Sequence, residues 1–152
     1  MKPKEFIEHV LINELGDIVF RHPYLSFSLL AIGIEFLGKC TLSDNEDWHN
    51  INPDKSFKAG QGLLNQIDER YRMVDLKNEL RNGFSHTLSP KFGLILSELK
   101  NGSSHFGKVE GRTILVAEIF YEDFIKCCNK VINTEFEPKN KMNKDFLRFG
   151  NN

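Results

Sequence analysis

The sequence is poor in the residues that mark disulfide-rich and zinc-binding proteins. Its 152 residues include only three cysteines, five prolines and one tryptophan. The cysteines are Cys40, Cys127 and Cys128, an odd number with one adjacent pair and no Cys-x-x-Cys spacing. This pattern supports neither a disulfide framework nor a cysteine zinc site. We therefore expect three reduced thiols in a cytoplasmic protein.

The chain also lacks an excess of charge of either sign. Twenty basic residues stand against 21 acidic ones, which gives a net charge of −1. This balance argues against a strongly basic nucleic-acid-binding protein, so any contact with RNA must be local. Hydrophobic residues make up 40% and charged residues 27% of the chain, the proportions of an ordinary soluble domain.

Long hydrophobic runs are missing as well. The most apolar stretch, residues 23–34, has 12 residues before Glu35 interrupts it, whereas a membrane-spanning helix needs about 20. The N-terminus carries Glu5 and no uninterrupted apolar segment, so no signal peptide is expected. We predict a core helix here and no membrane association.

Hydrophobic spacing predicts a mainly α fold. The first helix is expected over residues 4–20 and the second over residues 23–40, where it should be buried nearly all round. A third helix, capped by Asp54 or Ser56, should extend to about Arg72. A fourth helix begins at Leu76. Together they are expected to form a four-helix up-and-down bundle.

The pattern changes after the fourth helix. Aliphatic runs on either side of the turn residues 100–104 predict a β-hairpin over about 92–117. A fifth helix should follow at about 118–135. Residues 1–136 would thus form one domain, and residues 137–152 a basic, loosely ordered tail.

The fourth helix holds the arrangement that points most clearly to chemistry. Gly83 is expected to interrupt this helix, because glycine readily closes a helix end. Arg81 would then lie on the last turn, with His86 just beyond it or on one further distorted turn. A permanently cationic guanidinium beside an imidazole that titrates near neutrality can bind a phosphate and transfer a proton.

Arg81-Asn82, three further residues and His86 together resemble the R-x4-6-H motif of the HEPN superfamily, in which a polar residue follows the arginine. HEPN proteins are small helical domains, and many are metal-independent ribonucleases of toxin and antiviral systems. The resemblance includes a consistent helical layout over residues 4–90. It implies an RNA substrate, no cofactor or metal, and a two-fold homodimer in which two motifs face one cleft. In a toxin system it would also imply a neutralising protein partner.

The resemblance suggests a role for each polar residue of the motif. His86 would be the general acid/base and Arg81 would stabilise the phosphorane oxygens, while Asn82 would orient one of these two side chains or donate to the phosphate. The products would be a 2′,3′-cyclic phosphate and a 5′-hydroxyl. Glu35 is an isolated carboxylate in the apolar second helix, and we hypothesise that it pairs with Arg81. Alternatively, Glu35 emerges at the helix surface or at a subunit interface.

Basic side chains near the motif are candidates for contacts with RNA. Residues 70–91 carry a summed charge of +3, although Asp75 and Glu79 dilute it. The candidate side chains are Arg70, Arg72, Lys77 and Lys91.

Two other interpretations stay open. The Arg-Asn-Gly segment can be structural, with Arg81 on the last helix carbonyls and Asn82-Gly83 forming the turn. The protein would then be a non-catalytic HEPN-like binding or regulatory module. Alternatively, it is an unrelated helical protein.

The other histidines form no His-Glu-x-x-His motif and no i,i+4 pair, so no metal site is predicted. They are His9, His22, His49 and His105.

Overall fold

A computed structural model describes residues 2–43 and 46–134 of the protein. Within these ranges the chain is mainly helical, with five helices and a small three-stranded sheet. The predicted mainly α class is therefore confirmed. The predicted basic tail, residues 137–152, lies outside the described residues.

Helix α1 extends from Pro3 to Arg21, close to the predicted bounds. It is α-helical over Pro3–Phe6, π-helical over Ile7–Glu14 and α-helical again over Leu15–Arg21. Every fourth residue of one face is buried, and these residues are Ile7, Leu11, Leu15 and Val19. His22 then leaves helical geometry, as expected for a residue that precedes a proline.

Helix α2, Pro23–Leu42, packs on the four other helices and forms the centre of the domain. Of the described helices, it is the one long and apolar enough to cross a membrane by length and composition, and half of its most apolar window is buried inside the domain. The expected burial nearly all round is wrong. Leu25, Leu29 and Ile32 are exposed, because the described neighbours cover only part of the helix circumference.

Helix α3, Pro53–Ile67, begins and ends earlier than predicted. Its cap is Asn52, whose Oδ1 accepts the backbone N–H groups of Asp54 and Lys55 at 2.8 and 3.2 Å. The predicted caps are wrong, because Pro53 at the first helical position places Asp54 and Ser56 inside the helix. After Ile67 the chain continues as a 3-10 helix over Glu69–Met73.

The backbones of α2 and α3 approach each other closely at two glycines. A Cβ atom on Gly38 would overlap the carbonyl oxygen of Ser56, and one on Gly60 would overlap the carbonyl oxygen of Ile34. Both obstacles are backbone atoms, which cannot move aside as a flexible side chain can. This contact therefore sets the distance between the two helices.

Helix α4 consists of π-helical Lys77–Arg81 followed by α-helical Asn82–Thr87. The sheet comes next, with strands β1 (Leu94–Ser97), β2 (Lys108–Val109) and β3 (Arg112–Val116) in the order β1-β3-β2. Helix α5, Ala117–Ile132, begins directly after β3 and confirms the predicted fifth helix.

The predicted hairpin is wrong for its first strand. Strand β1 runs parallel to β3, with Leu94 opposite Thr113, and the hairpin is formed by β2 and β3. Its two-residue turn, Glu110-Gly111, has positive φ angles at both positions, as a type I′ turn requires. The turn signal at residues 100–104 instead overlaps the end of a 3-10 turn, Leu99–Asn101, and begins a longer connection from β1 to β2.

The three cysteines are free and buried, as predicted for small core residues. Burial raises the pKa of the Cys127 thiol to about 12 and moves the pKa values of Cys40 and Cys128 in the same direction. All three are therefore neutral thiols at physiological pH.

Two glycines of α3 provide a test of the α2–α3 contact. We expect Gly60→Ala to lower the free energy of unfolding by about 2–3 kcal/mol, because its Cβ meets backbone atoms. Gly62→Ala is the matched control, since no atom lies within 4 Å of its Cβ position. The control should raise stability by about 0.5–1 kcal/mol. Urea denaturation measures both values, and equal effects would contradict the close approach.

Candidate functional site

Helix α4 carries the motif without a break, so the predicted interruption at Gly83 is wrong. The helix ends at Leu88, which takes the left-handed conformation with φ 53°. Gly83 is buried because the following loop folds back over it. A Cβ atom there would lie 2.5 Å from the Ser89 carbonyl oxygen and 3.1 Å from the Lys91 nitrogen. Glycine is thus required by this close approach and not by a turn.

The continuous helix determines how Arg81 and His86 are related. Both belong to one helical segment. Five residues of α-helix turn through about 140° and rise about 7.5 Å. Within the described part of the chain, no hydrogen bond joins the two side chains. The two side chains therefore leave the helix in different directions.

The predicted pairing of Glu35 with Arg81 is confirmed. Arg81 Nε donates a hydrogen bond to Glu35 Oε2 at 3.1 Å, which joins helix α4 to α2. The side chains are 32% and 24% exposed, so the pair lies at the edge of the core. This contact explains how an apolar helix accommodates a carboxylate. A half-exposed pair of this kind contributes about 1 kcal/mol at most.

Asn82 holds a second side of the Arg81 guanidinium. Arg81 Nη1 donates to Asn82 Oδ1 at 3.1 Å. A guanidinium has five N–H groups, and the contacts to Glu35 and Asn82 use two of them. The other three have no acceptor among residues 2–43 and 46–134. A cationic fork held in this way can bind the oxygens of a phosphate or carboxylate.

His86 is exposed on the last turn of α4. Its side chain makes no hydrogen bond within the described ranges, so the imidazole is available to a ligand. The interpretation of this segment as a helix cap is wrong. Arg81 bonds to Glu35 and Asn82 and not to the last carbonyls, and Asn82-Gly83 lies inside the helix.

Two of the four basic side chains predicted to contact RNA already form ion pairs within the domain. Arg70 forms an ion pair with Asp68, with Nη2 and Oδ2 2.6 Å apart. Lys77 pairs with Asp54, with Nζ and Oδ1 2.8 Å apart. The two remaining candidates are exposed and have no ion pair in the described part of the chain. They are Arg72 and Lys91.

A second polar cluster lies inside the domain and was missed by the sequence analysis. The Tyr71 hydroxyl lies 3.0 Å from Asp123 Oδ2 and 3.1 Å from His105 Nε2. His105 Nδ1 accepts the backbone N–H of Val116 at 2.9 Å. Tyr71 comes from the 3-10 helix after α3, His105 from the loop before β2, Val116 from the end of β3 and Asp123 from helix α5. No local spacing joins them, so no sequence signal could reveal the cluster.

The direction of each bond in this cluster follows from chemistry. Because Nδ1 of His105 accepts a hydrogen bond, the neutral ring carries its proton on Nε2 and donates it to the Tyr71 oxygen. Tyr71 in turn donates to Asp123. Burial, with the Asp123 charge adding to it, raises the pKa of Tyr71 well above its usual range, so its hydroxyl stays protonated. The cluster ties the β1–β2 connection to the helical core.

Other binding features lie away from the motif. Within residues 2–43 and 46–134, no three or more His, Cys, Asp or Glu side chains gather to hold a metal ion. An open groove of about 580 Å³ lies between α2, α3 and α5, and its lining includes Leu63, Lys126 and Val131 but no motif residue. Its lining includes no His, Cys, Asp or Glu side chain.

Comparison of the chain with protein families, curated proteins and solved structures finds no match. The site must therefore be interpreted from its own geometry.

His105 makes the stability of the protein depend on pH. Burial lowers its pKa to about 4, although the Asp123 charge partly opposes this. Since an unfolded histidine has a pKa of about 6.5, the unfolded chain binds a proton between these values and the folded one does not. The stabilisation is fully present above pH 6.5 and is lost as the pH falls towards 4, by on the order of 2 kcal/mol.

Urea denaturation at pH 7 and pH 4.5 measures this loss. His105→Asn is the comparison variant, because its amide oxygen can accept the Val116 N–H without titrating. The difference in unfolding free energy between the two pH values should be smaller in His105→Asn than in the wild type. An equal pH dependence in both proteins would show that His105 does not cause it.

Proposed function

We propose that the chain is an HEPN-like, metal-independent endoribonuclease that acts as a two-fold homodimer. The observation that carries this proposal is the Arg81 guanidinium. Glu35 and Asn82 hold it on two sides, and its other N–H groups have no acceptor among the described residues. An exposed histidine, His86, follows five residues later on the same helix.

On this proposal, α1 to α4 form an up-and-down four-helix bundle, and the sheet and α5 are additions to it. Two observations support the bundle. Only His22 separates α1 from α2, so these helices turn back on each other. Helices α2 and α3 make the most extensive helix contact in the domain, through Gly38 and Gly60. Short connections favour antiparallel neighbours.

The proposed reaction is an internal transfer of the RNA phosphate. One imidazole takes the proton of a 2′-hydroxyl, whose oxygen forms a bond to phosphorus. Arg81 stabilises the charge on the phosphorane oxygens. The bond from phosphorus to the 5′-oxygen then breaks, and this oxygen takes a proton from an imidazolium. A 2′,3′-cyclic phosphate and a 5′-hydroxyl result, and water and metal are not consumed.

The reaction explains why a second protomer is needed. Arg81 and His86 of one chain leave the helix about 140° apart, and a single imidazole cannot be base and acid at once. Two motifs across a two-fold axis supply two imidazoles and two guanidinium groups to one cleft. In such a cleft, the Arg81 side chain of one protomer can act together with the His86 side chain of its partner.

The exposed face of α2 supports this dimer. Leu25, Leu29 and Ile32 follow the i, i+4, i+7 spacing and are 54%, 37% and 59% exposed. We call these three residues the α2 stripe. Glu35 lies one turn beyond Ile32 and binds Arg81, so the stripe leads directly to the motif. If a second copy of the chain docked on this face, the α2 stripe would be buried from water and the two motifs would be brought together.

A non-catalytic HEPN-like module is the second candidate. The observation that favours it is the ion pairing of Arg70 and Lys77, which halves the basic surface available for RNA. Such a module would use the same exposed face for a protein partner and leave His86 without a chemical role.

RNA cleavage distinguishes the two candidates. We expect the wild type to cleave RNA in EDTA and to leave cyclic phosphate ends. His86→Ala and Arg81→Ala should each lower the rate by about 100-fold or more, because each removes a proton-transfer or charge-stabilising group. Gel assays and mass spectrometry of the product ends measure the rate and the chemistry.

Two substitutions away from the motif are matched controls. His49→Ala removes another exposed histidine, and Arg112→Ala removes an arginine of the β2–β3 hairpin. Both should cleave RNA at the wild-type rate. If a folded, dimeric wild type cleaves none of a varied set of RNAs, the ribonuclease proposal is wrong and the non-catalytic module is favoured.

The oligomeric state tests the α2 stripe. We expect Ile32→Glu to convert the dimer to a monomer, since an unpaired carboxylate would enter the apolar interface. Leu99→Glu is the control, because Leu99 is similarly exposed at 52% but lies in the turn after β1. Analytical ultracentrifugation measures the mass of each. A wild-type monomer, or a dimeric Ile32→Glu protein, would contradict this interface.

A further inference from the structure

A row of side-chain hydrogen bonds runs along helix α4 and ends at Arg81. Asn78 Nδ2 donates to Asp75 Oδ2 at 2.8 Å, and Asn82 Nδ2 donates to Asn78 Oδ1 at 3.1 Å. Arg81 then donates through Nη1 to Asn82 and through Nε to Glu35, both at 3.1 Å. We call Asp75, Asn78, Asn82, Arg81 and Glu35 the α4 ladder.

The spacing of the α4 ladder follows from helix geometry. Asp75, Asn78 and Asn82 are three and four residues apart, so their side chains lie on one face. Asp75 also accepts the backbone N–H of Asn78 at 3.1 Å, which fixes the start of the helix. In the sequence these three residues have the composition of an ordinary solvated face, and nothing marks Asn78 as different from other exposed asparagines.

The chemistry of each group gives the ladder one direction. An ionised carboxylate only accepts hydrogen bonds, so Asn78 must present its NH2 group to Asp75. Its carbonyl oxygen therefore faces Asn82, which must in turn donate through its own NH2 group. The carbonyl oxygen of Asn82 is left to face the guanidinium. The orientation of the Asn82 amide is thus held from both ends, by Asp75 through Asn78 and by the guanidinium, which can only donate.

We propose that Asn78 is a positioning residue that orients the Arg81 guanidinium through Asn82. Without Asn78, the Asn82 NH2 group loses its acceptor, and the amide can rotate away from the position in which its oxygen faces Arg81. The contact with Arg81 Nη1 is then weakened, and Glu35 at Nε becomes the main restraint on the guanidinium. The guanidinium can rotate about the bond between Nε and Cζ.

This inference rests on the proposed function, because an oriented guanidinium matters most where Arg81 binds a phosphate. Glu35 and Asn82 leave both N–H groups of Nη2 and one of Nη1 without an acceptor in the described ranges. A phosphate accepts two such groups side by side when the plane of the guanidinium is held. Asn78 acts on that plane without touching the substrate.

Nitrogen-15 NMR of the Arg81 side chain tests the inference without any measurement of activity. In the wild type we expect separate Nη1 and Nη2 signals and slow rotation about the bond between Nε and Cζ. Asn78→Ala should accelerate this rotation roughly 2- to 10-fold, the effect of losing one hydrogen bond. Alanine favours the helix, so the variant should fold. Equal unfolding midpoints for both proteins verify this.

Two further variants sharpen the comparison. Asn78→Asp keeps an acceptor for Asn82 but repels Asp75, so its rotation rate should lie between those of the wild type and Asn78→Ala. Asn13→Ala is the matched control, since Asn13 is an exposed asparagine of α1. Its rotation rate should equal that of the wild type. Fast rotation in the wild type itself, or unchanged rotation in Asn78→Ala, would overturn the inference.

RNA cleavage by the same variants separates this inference from the proposed function. If both are correct, Asn78→Ala lowers kcat for RNA, and Asn78→Asp partly restores it. If the wild type cleaves no RNA but Asn78→Ala accelerates the rotation of the Arg81 guanidinium, the ribonuclease proposal fails and the positioning role stands. If the wild type cleaves RNA and the rotation rate of the Arg81 guanidinium is the same in Asn78→Ala, only the positioning role fails.

Discussion

The rest of the structure depends on the contact between the backbones of α2 and α3 at Gly38 and Gly60. Because no side chain separates them there, α3 lies directly against one side of α2. A similar restriction operates at Gly33, where a Cβ would lie 2.6 Å from the ring of Phe124 on α5. With α3 and α5 in these positions, the remaining circumference of α2 is left for α1, α4 and solvent.

This arrangement explains why an apolar helix carries both a buried face and the exposed α2 stripe. It also explains the place of Glu35. The carboxylate lies where the covered side of α2 meets the open side, and Arg81 of α4 reaches it there at 3.1 Å. An ion pair deeper in the core would lose more hydration than the two charges regain. A fully exposed pair would not hold the guanidinium in one orientation.

The two polar clusters serve different purposes because their exposure differs. Tyr71 and Asp123 are buried, and the hydrogen bond between them lies inside the domain, while the exposed Lys126 covers the other oxygen of Asp123. They fasten the β1–β2 connection to the core through His105. The α4 ladder is open to solvent and ends in a cation whose free N–H groups no described residue takes up. Only the second cluster offers a ligand both charge and access, which is why the proposed chemistry belongs there.

The sequence by itself determined the helices with clear apolar periods and the unpaired thiols, and it suggested the pairing of Glu35 with Arg81, which the structure then decided. Each of these follows from local spacing, or from the high cost of an unpaired charge in an apolar helix. Tertiary structure decided the parallel β1–β3 pair, the Tyr71–His105–Asp123 cluster and the role of Gly83. A strand pattern has no direction, and hydrogen bonds between distant segments leave no period in the sequence. Position 83 requires glycine because the Ser89 carbonyl oxygen of the following loop lies 2.5 Å from where a Cβ would be. Contacts that form only in the folded chain place that loop there.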